Sequence, residues 1–192
     1  MPQTTRTYAS RFTAMCIATL LLFPVQGLCS PEISGSAATS RISADTGALP
    51  VLVQAMHEAI LQAARSGDIN MLTPVLEMNE LKPTVSFGES QDPITYWRRT
   101  SGDGDGRQVM AILAEILEMP YAHVNPGTDN EMYVWPYLAE VPLDKLAPAQ
   151  QVDLYRLVSP EEVKAMKDFG AYIQYRLGIG PDGTWHFFVA GD

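Results

Sequence analysis

The side chains best suited to chemistry are gathered near the C-terminus of the chain. Arg176 and His186 provide a cation and a titratable imidazole, and Tyr172 and Gln174 add a phenol and an amide. On one face of a β-hairpin, these four residues would form a polar surface able to bind a small anionic ligand. A solvated sheet face of mixed character is the other interpretation, because one face of an antiparallel sheet often meets water.

A hairpin is predicted here by the turn Gly180-Pro181-Asp182-Gly183, which lies between two strand-like runs. Proline fixes φ at the first turn position, and Gly183 provides the positive φ that closes a type I turn with a bulge. With Gly180 paired to Thr184, strand alternation predicts two faces. The inward face holds Tyr175, Leu177, Ile179, Trp185, Phe187 and Val189. The outward face holds Tyr172, Gln174, Arg176, Thr184, His186 and Phe188, with His186 opposite Gly178.

The preceding segments predict five or six short helices and few strands. Helical periodicity or capping residues mark the helix starts near Pro50, Asp68, Asp92, Arg107, Pro148 and Ser159. Pro74 falls inside the segment after Asp68, so this segment is expected to be a bent or broken turn rather than a clean helix. Residues 82–88 are predicted as an extra strand, and residues 121–130 as a loop. The predicted fold class is α+β, with several short helices packed on a small antiparallel sheet that ends in a C-terminal β-hairpin.

Residues 132–139 (MYVWPYLA) have the composition of a strand. Pro136 cannot donate to a ladder, so this strand should lie at an edge or leave the sheet there. Alternation places Tyr133, Trp135 and Tyr137 on one face. We expect these rings to pack in the core, and a surface that stacks carbohydrate or peptide is the alternative.

Residues 1–29 have the pattern of a secretory signal peptide. Arg6 and Arg11 precede an apolar run that Pro24 interrupts, and the run is shorter than the ~20 apolar residues that span a bilayer. We predict a signal peptide at 1–29, a flexible linker at 30–48 and a single α+β domain at 49–192. Lipidation of Cys29 is disfavoured, because Leu28 stands where a lipobox requires a small residue.

The predicted mature part of the chain, after residue 29, contains no cysteine and has an excess of acidic residues. Both cysteines, Cys16 and Cys29, fall in the signal segment, so we expect a disulfide-free domain. All 22 acidic residues but only 11 of the 13 basic residues follow it, and 11 minus 22 gives a net charge of −11. This charge disfavours nucleic acid and anionic head groups as partners. We predict a periplasmic or secreted protein with no stable membrane span after signal cleavage.

Two further patterns in the sequence bear on metal binding. Asp103-Gly104-Asp105 resembles the start of a calcium loop, but the later ligand positions fall on Arg107 and Ala114. Asp105 or Gly106 is therefore expected to cap the following helix. The three histidines, His57, His123 and His186, lack the short spacing of a metal site. No cofactor is predicted, although a zinc site assembled from distant residues stays open.

Four stretches of the chain resemble a family of uncharacterised exported bacterial proteins. They are residues 66–69 (SGDI), 87–98, 131–139 and 168–192, of which the last is the most specific. The family has no assigned activity, so the resemblance implies export in a Gram-negative bacterium and assigns no catalytic residue. Helices followed by strands with a DG turn are also similar to NTF2-like domains, at the level of fold alone.

Two functions are compatible with the sequence. The first is a non-enzymatic cell-envelope module that binds an unknown small ligand or an envelope protein, because no catalytic motif is present. The alternative is a small periplasmic hydrolase that uses His186, with Arg176 stabilising an anion. In an enzyme, these two side chains should line one concave pocket, with a carboxylate or hydroxyl within hydrogen-bond reach.

Overall fold

The computed structural model describes residues 40–88 and 91–191 of the chain. In this part the chain forms six α-helices and a five-stranded antiparallel sheet, which confirms the α+β class. The strands are β1 (Arg41–Ser43), β2 (Tyr121–Val124), β3 (Met132–Trp135), β4 (Arg176–Ile179) and β5 (Trp185–Val189). The helices are α1 (Val51–Arg65), α2 (Leu72–Leu76), α3 (Pro93–Thr100), α4 (Arg107–Leu117), α5 (Pro148–Leu157) and α6 (Pro160–Phe169).

The sheet follows the order of the chain, β1-β2-β3-β4-β5, with each strand antiparallel to the next. Two of its strands were not predicted. β2 lies in the segment expected to be a loop, and β1 lies in the expected linker at 30–48, where Arg41 pairs with His123. Strands of three or four residues are too short to show a periodic pattern in the sequence. Pairing with neighbouring strands therefore determines that β1 and β2 form. The predicted signal peptide and residues 30–39 lie outside the described residues.

The helices largely follow the predicted segments. The stretch after Asp68 is broken, as predicted, into a 3-10 turn at Ile69–Met71 and the short helix α2. The break falls before Leu72, however, and Pro74 lies within α2. Ser159 and Glu162 form the predicted capping box of α6: Ser159 Oγ accepts from Glu162 N at 3.3 Å, and Glu162 Oε2 accepts from Ser159 N at 2.8 Å. No helix in the described part is both long and apolar enough to cross a bilayer.

One face of the sheet forms the larger core together with α1, α2, α3 and α4. Trp135, Leu177, Ile179, Trp185 and Phe188 lie on this face and are 0% exposed. The predicted burial of Trp185 is confirmed, and its ring stacks on Trp97 of α3 with centroids 5.5 Å apart. These aromatic side chains hold the helical layer on the sheet.

A second, smaller core lies around α5 and α6. Its buried members include Ala122, Leu138, Leu154, Val163, Met166 and Tyr172. β3 ends at Trp135 although it is a central strand, so the chain leaves the sheet at Pro136, one of the two predicted outcomes. Tyr137 follows in a 3-10 turn, where it is buried in this core and donates its hydroxyl proton to Asp153 Oδ2 at 2.9 Å.

The C-terminal hairpin forms, but its register differs from the prediction beyond the first pair. Ile179 faces Trp185 as expected, whereas the next pair is Gly178 with Phe187, which leaves His186 in a β-bulge. Phe188 is therefore the buried residue, and Phe187 is only partly covered. The predicted outward face is wrong for Phe188 and Tyr172, because both side chains are buried.

The outer edge of β5 is covered by an earlier part of the chain. Residues 82–88 supply a single parallel bridge, from Thr84 to Phe187, in place of the predicted strand. Thr84 N donates to His186 O, and Phe188 N donates to Thr84 O, both at 2.9 Å. The Asn79 side chain adds two hydrogen bonds to the backbone of Trp185. This edge is therefore closed to pairing with another strand.

Candidate functional site

An open groove lies where α4, α5 and the segment before β4 meet. Its volume is about 430 Å³, which is within the range of small-ligand sites. The lining residues are Ala111, Ile112, Glu115, Ile116, Arg156, Leu157, Tyr172, Gln174 and Tyr175. The four residues from α4 lie on one side of that helix, because positions three and four apart share a helix face.

The floor of the groove is apolar and belongs to the larger core. Ile116 is 2% exposed, and Ile112, Leu157 and Tyr175 are partly buried against the same core. Burial also raises the pKa of the Tyr175 phenol, so this ring stays neutral over the physiological range. The floor therefore offers a firm apolar surface with an aromatic ring.

The polar part of the groove is an ion pair between its two helices. Arg156 Nη2 donates to Glu115 Oε1 at 2.8 Å. Arg156 Nη1 lies 3.8 Å from Asp153 Oδ1 on its own helix. The side chains of Arg156 and Glu115 are 45% and 40% exposed, so both charges reach solvent at the groove.

Two of the four sequence-predicted site residues line this groove. Gln174 Nε2 donates to Glu162 Oε1 at 3.1 Å, which ties the amide to the start of α6. Tyr172 donates its hydroxyl proton to Tyr175 O at 3.3 Å, and burial raises the pKa of its phenol. Tyr172 therefore acts as a neutral wall of the groove rather than as a member of a solvated sheet face.

The other two predicted residues lie elsewhere on the hairpin. Arg176 donates from Nη1 to Gly191 O at 2.9 Å, and its guanidinium carbon lies 5.7 Å from the centre of the Phe87 ring. His186 is exposed in the bulge near the turn. Arg176 pairs with Val189, which lies three residues beyond His186 on β5. At about 3.3 Å per residue, the position paired with Arg176 is roughly 10 Å along the strand from His186. The four predicted residues do not form one cluster.

His186 borders a different depression, of about 290 Å³, which is also lined by Lys82 and Thr184. The nearby Asp182 carboxylate accepts hydrogen bonds from Thr184 N at 3.0 Å and Thr184 Oγ1 at 2.9 Å. These bonds hold the pKa of Asp182 below its ordinary value. Asp182 is thus engaged in shaping the hairpin turn.

A histidine–carboxylate pair that the sequence did not indicate joins β2 to the turn before β3. His123 Nε2 lies 2.7 Å from Glu131 Oε1, and the imidazole stacks on Tyr133 at 4.4 Å. Glu131 Oε2 also accepts from Gly127 N at 2.8 Å, and these contacts hold the pKa of Glu131 below its ordinary value. The pair fastens the β2–β3 turn.

The remaining histidine and the glycine-rich loop have structural surroundings. His57 is buried, with Nε2 3.0 Å from Leu117 O. Asp103 accepts from Gly106 N and Arg107 N at 3.2 and 3.1 Å, so it caps α4 with its side chain while Gly106 holds the N-cap position. Within residues 40–88 and 91–191, no three His, Cys, Asp or Glu side chains gather as metal ligands would.

Comparisons of the chain with protein-family models, curated proteins and solved structures found no match. The groove therefore has to be interpreted from its own chemistry. Sequence reasoning missed Glu115 and Arg156, because they are separated by 41 residues and share no motif. Their pairing depends on how α4 and α5 pack.

Proposed function

We propose that the protein is a non-enzymatic cell-envelope binding module that holds a small amphipathic ligand in the groove between α4, α5 and the segment before β4. The observation that carries this proposal is the meeting of an apolar floor with the Arg156–Glu115 ion pair in about 430 Å³. Such a combination of apolar surface with a few polar groups is typical of sites that bind small molecules.

Binding is favoured over catalysis by the composition of the lining. The groove offers one ion pair, one amide and two phenols, and its lining residues include neither a histidine nor a hydroxyl of serine or threonine. A nucleophile activated by a base would need such groups within hydrogen-bond distance. The described hydrogen bonds of Tyr172 and Gln174 instead hold the walls in place.

Export to the periplasm is part of the same proposal. The pattern of residues 1–29 and the acidic remainder of the chain support it, as does the resemblance to an uncharacterised exported family. The alternative is that the module binds an envelope protein instead of a small ligand. The fold-level similarity to NTF2-like domains is compatible with the α+β class but contributes nothing to the site.

The alternative function is a small hydrolase that uses His186 and Arg176. One observation favours it, since His186 borders a depression that also contains Lys82 and Thr184. The placement of Arg176 near Gly191 and Phe87 gives it less support than the groove has. Hydrolysis of a broad ester panel that is lost in His186→Ala would favour this alternative.

A ligand screen with a blocked groove tests the binding proposal. Mixtures of amphipathic small molecules are added to the purified protein, and binding is followed by thermal shift and by NMR. Ala111→Phe should abolish the response, because Ala111 is exposed on the groove wall and a larger side chain there fills the space. Ala149→Phe is the matched control on exposed α5 surface outside the lining. Equal responses in both variants would contradict binding in the groove.

A further inference from the structure

We propose that the ligand of this groove is a zwitterion, an apolar α-amino acid whose carboxylate pairs with Arg156 and whose ammonium pairs with Glu115. This inference rests on the proposed function and adds the chemical class of the ligand. Three features of the site carry it: the arrangement of the charges, the local charge balance and the apolar floor.

The arrangement of the charges matches an α-amino acid. Arg156 and Glu115 present a cation and an anion side by side, with 2.8 Å between Nη2 and Oε1. An α-amino acid carries its carboxylate and its ammonium on the same carbon, so both can meet opposite charges at once. A guanidinium has five N–H donors and a carboxylate has two oxygens, so the protein pair retains groups for the ligand.

The local charge balance disfavours a simple anion. Arg156 lies next to two carboxylates, Glu115 at 2.8 Å and Asp153 at 3.8 Å. These three groups sum to a net negative charge, and the whole chain carries −9. A ligand with only a carboxylate would be repelled, whereas a zwitterion brings its own cation.

The accessible ion pair lets the ligand enter without opening the core. Arg156 and Glu115 are nearly half exposed, and exposed ion pairs contribute little to stability, so shifting this one costs little. Behind the pair, Ile112, Leu157 and Tyr175 provide the apolar surface for the ligand side chain. Polar amino acids would leave this floor uncovered and should bind less tightly.

Three matched ligands separate the two charges. Isothermal titration of the purified protein compares L-phenylalanine with phenethylamine, which lacks the carboxylate, and with 3-phenylpropanoate, which lacks the ammonium. We expect phenylalanine to bind about tenfold or more tightly than either analogue, the range of one charged hydrogen bond. Phenethylamine binding as tightly as phenylalanine would overturn the proposal, because the carboxylate would then go unrecognised.

Charge-removing variants assign each contact. Arg156→Gln should weaken the binding of phenylalanine about tenfold without weakening that of phenethylamine, because the change removes only a positive charge. Glu115→Gln should weaken the binding of both compounds. Arg65→Gln is the matched control, because Arg65 forms an ion pair with Glu118 of the same 2.8 Å length away from the groove lining. If Arg156→Gln does not fold, Arg156→Lys can replace it. Lysine keeps the positive charge but lacks the planar guanidinium with its paired N–H donors, so this variant should still weaken the binding of phenylalanine.

The result also distinguishes the inference from the proposed function. If none of the three compounds binds while another amphipathic molecule responds in the Ala111→Phe screen, the groove is a binding site and the zwitterion proposal is wrong. If nothing binds in the groove at all, both proposals fail.

Discussion

Phe187 lies over Gly178 across the last two strands, where a Cβ on the glycine would stand 2.4 Å from two atoms of the ring. The ring occupies the space that any other residue at position 178 would fill with its side chain. The bulge at His186 begins at this pair, and it turns Phe188 into the core. A glycine at the centre of the strand thus belongs to the packing of the hairpin.

Gly178→Ala should destabilise the protein by about 1 kcal/mol, the lower end of the cost of overpacking. The cost is modest because Phe187 is partly exposed and its ring can shift. Urea denaturation measures the loss in free energy of unfolding. Gly88→Ala serves as control, since its nearest atom to an added Cβ is 3.8 Å away. Equal losses in free energy of unfolding in the two variants would show that the Phe187 ring accommodates a methyl group at position 178, which would contradict this prediction.

Trp185→Ala should cost about 3–5 kcal/mol in free energy of unfolding, as expected for truncation of a large buried aromatic side chain. Trp185 is 0% exposed, stacks on Trp97 and donates from Nε1 to Phe187 O at 3.0 Å. Tyr155→Ala, at a side chain that is 51% exposed, should change stability by less than about 0.5 kcal/mol. A loss below about 1 kcal/mol for Trp185→Ala would place the indole outside the core.

The capping box of α6 predicts a change of stability in acid. The Ser159 backbone N–H, with the Ser159 side chain, holds the pKa of the Glu162 carboxyl below its ordinary value of 4.5. The folded state therefore binds this proton less readily than the unfolded state. The ionised Glu162 carboxylate therefore stabilises the folded state above the ordinary pKa. This stabilisation is lost as pH falls through the lower pKa of the folded state.

Glu162→Gln should therefore be less stable than the wild type near neutral pH, and the difference should shrink as the pH falls below the ordinary glutamate pKa of 4.5. Denaturation curves at a series of pH values measure the difference. Glu161→Gln removes a charge from the same helical turn without touching the capping box, and it should retain the pH dependence of the wild type. A pH-independent difference for Glu162→Gln would contradict the role of its carboxylate.

The N-terminal pattern predicts export with cleavage. Arg6, Arg11 and the following apolar run predict that the mature chain starts between Leu28 and Thr39. Mass spectrometry of the periplasmic fraction measures the N-terminus directly. An intact Met1, or a diacylglyceryl group on Cys29, would show that the segment is not an ordinary cleaved signal.

Features that depend on neighbouring residues could be predicted from the sequence. The helices α1 and α4 follow from apolar periodicity, the start of α6 follows from Ser159 and Glu162, and the hairpin turn follows from its proline and glycines. In each case the hydrogen bonds or the φ angles involve residues a few positions apart. Local chemistry is therefore sufficient to place them.

Features that depend on distant residues were decided only by the tertiary structure. Short strands such as β1 are stabilised by partners far along the chain, and the bulge at His186 depends on the space above Gly178. In the groove, Tyr172 and Gln174 could be named as polar candidates, but Arg156 and Glu115 meet only because α4 and α5 pack together. Packing selects these contacts by shape and burial, which no local pattern in the sequence records.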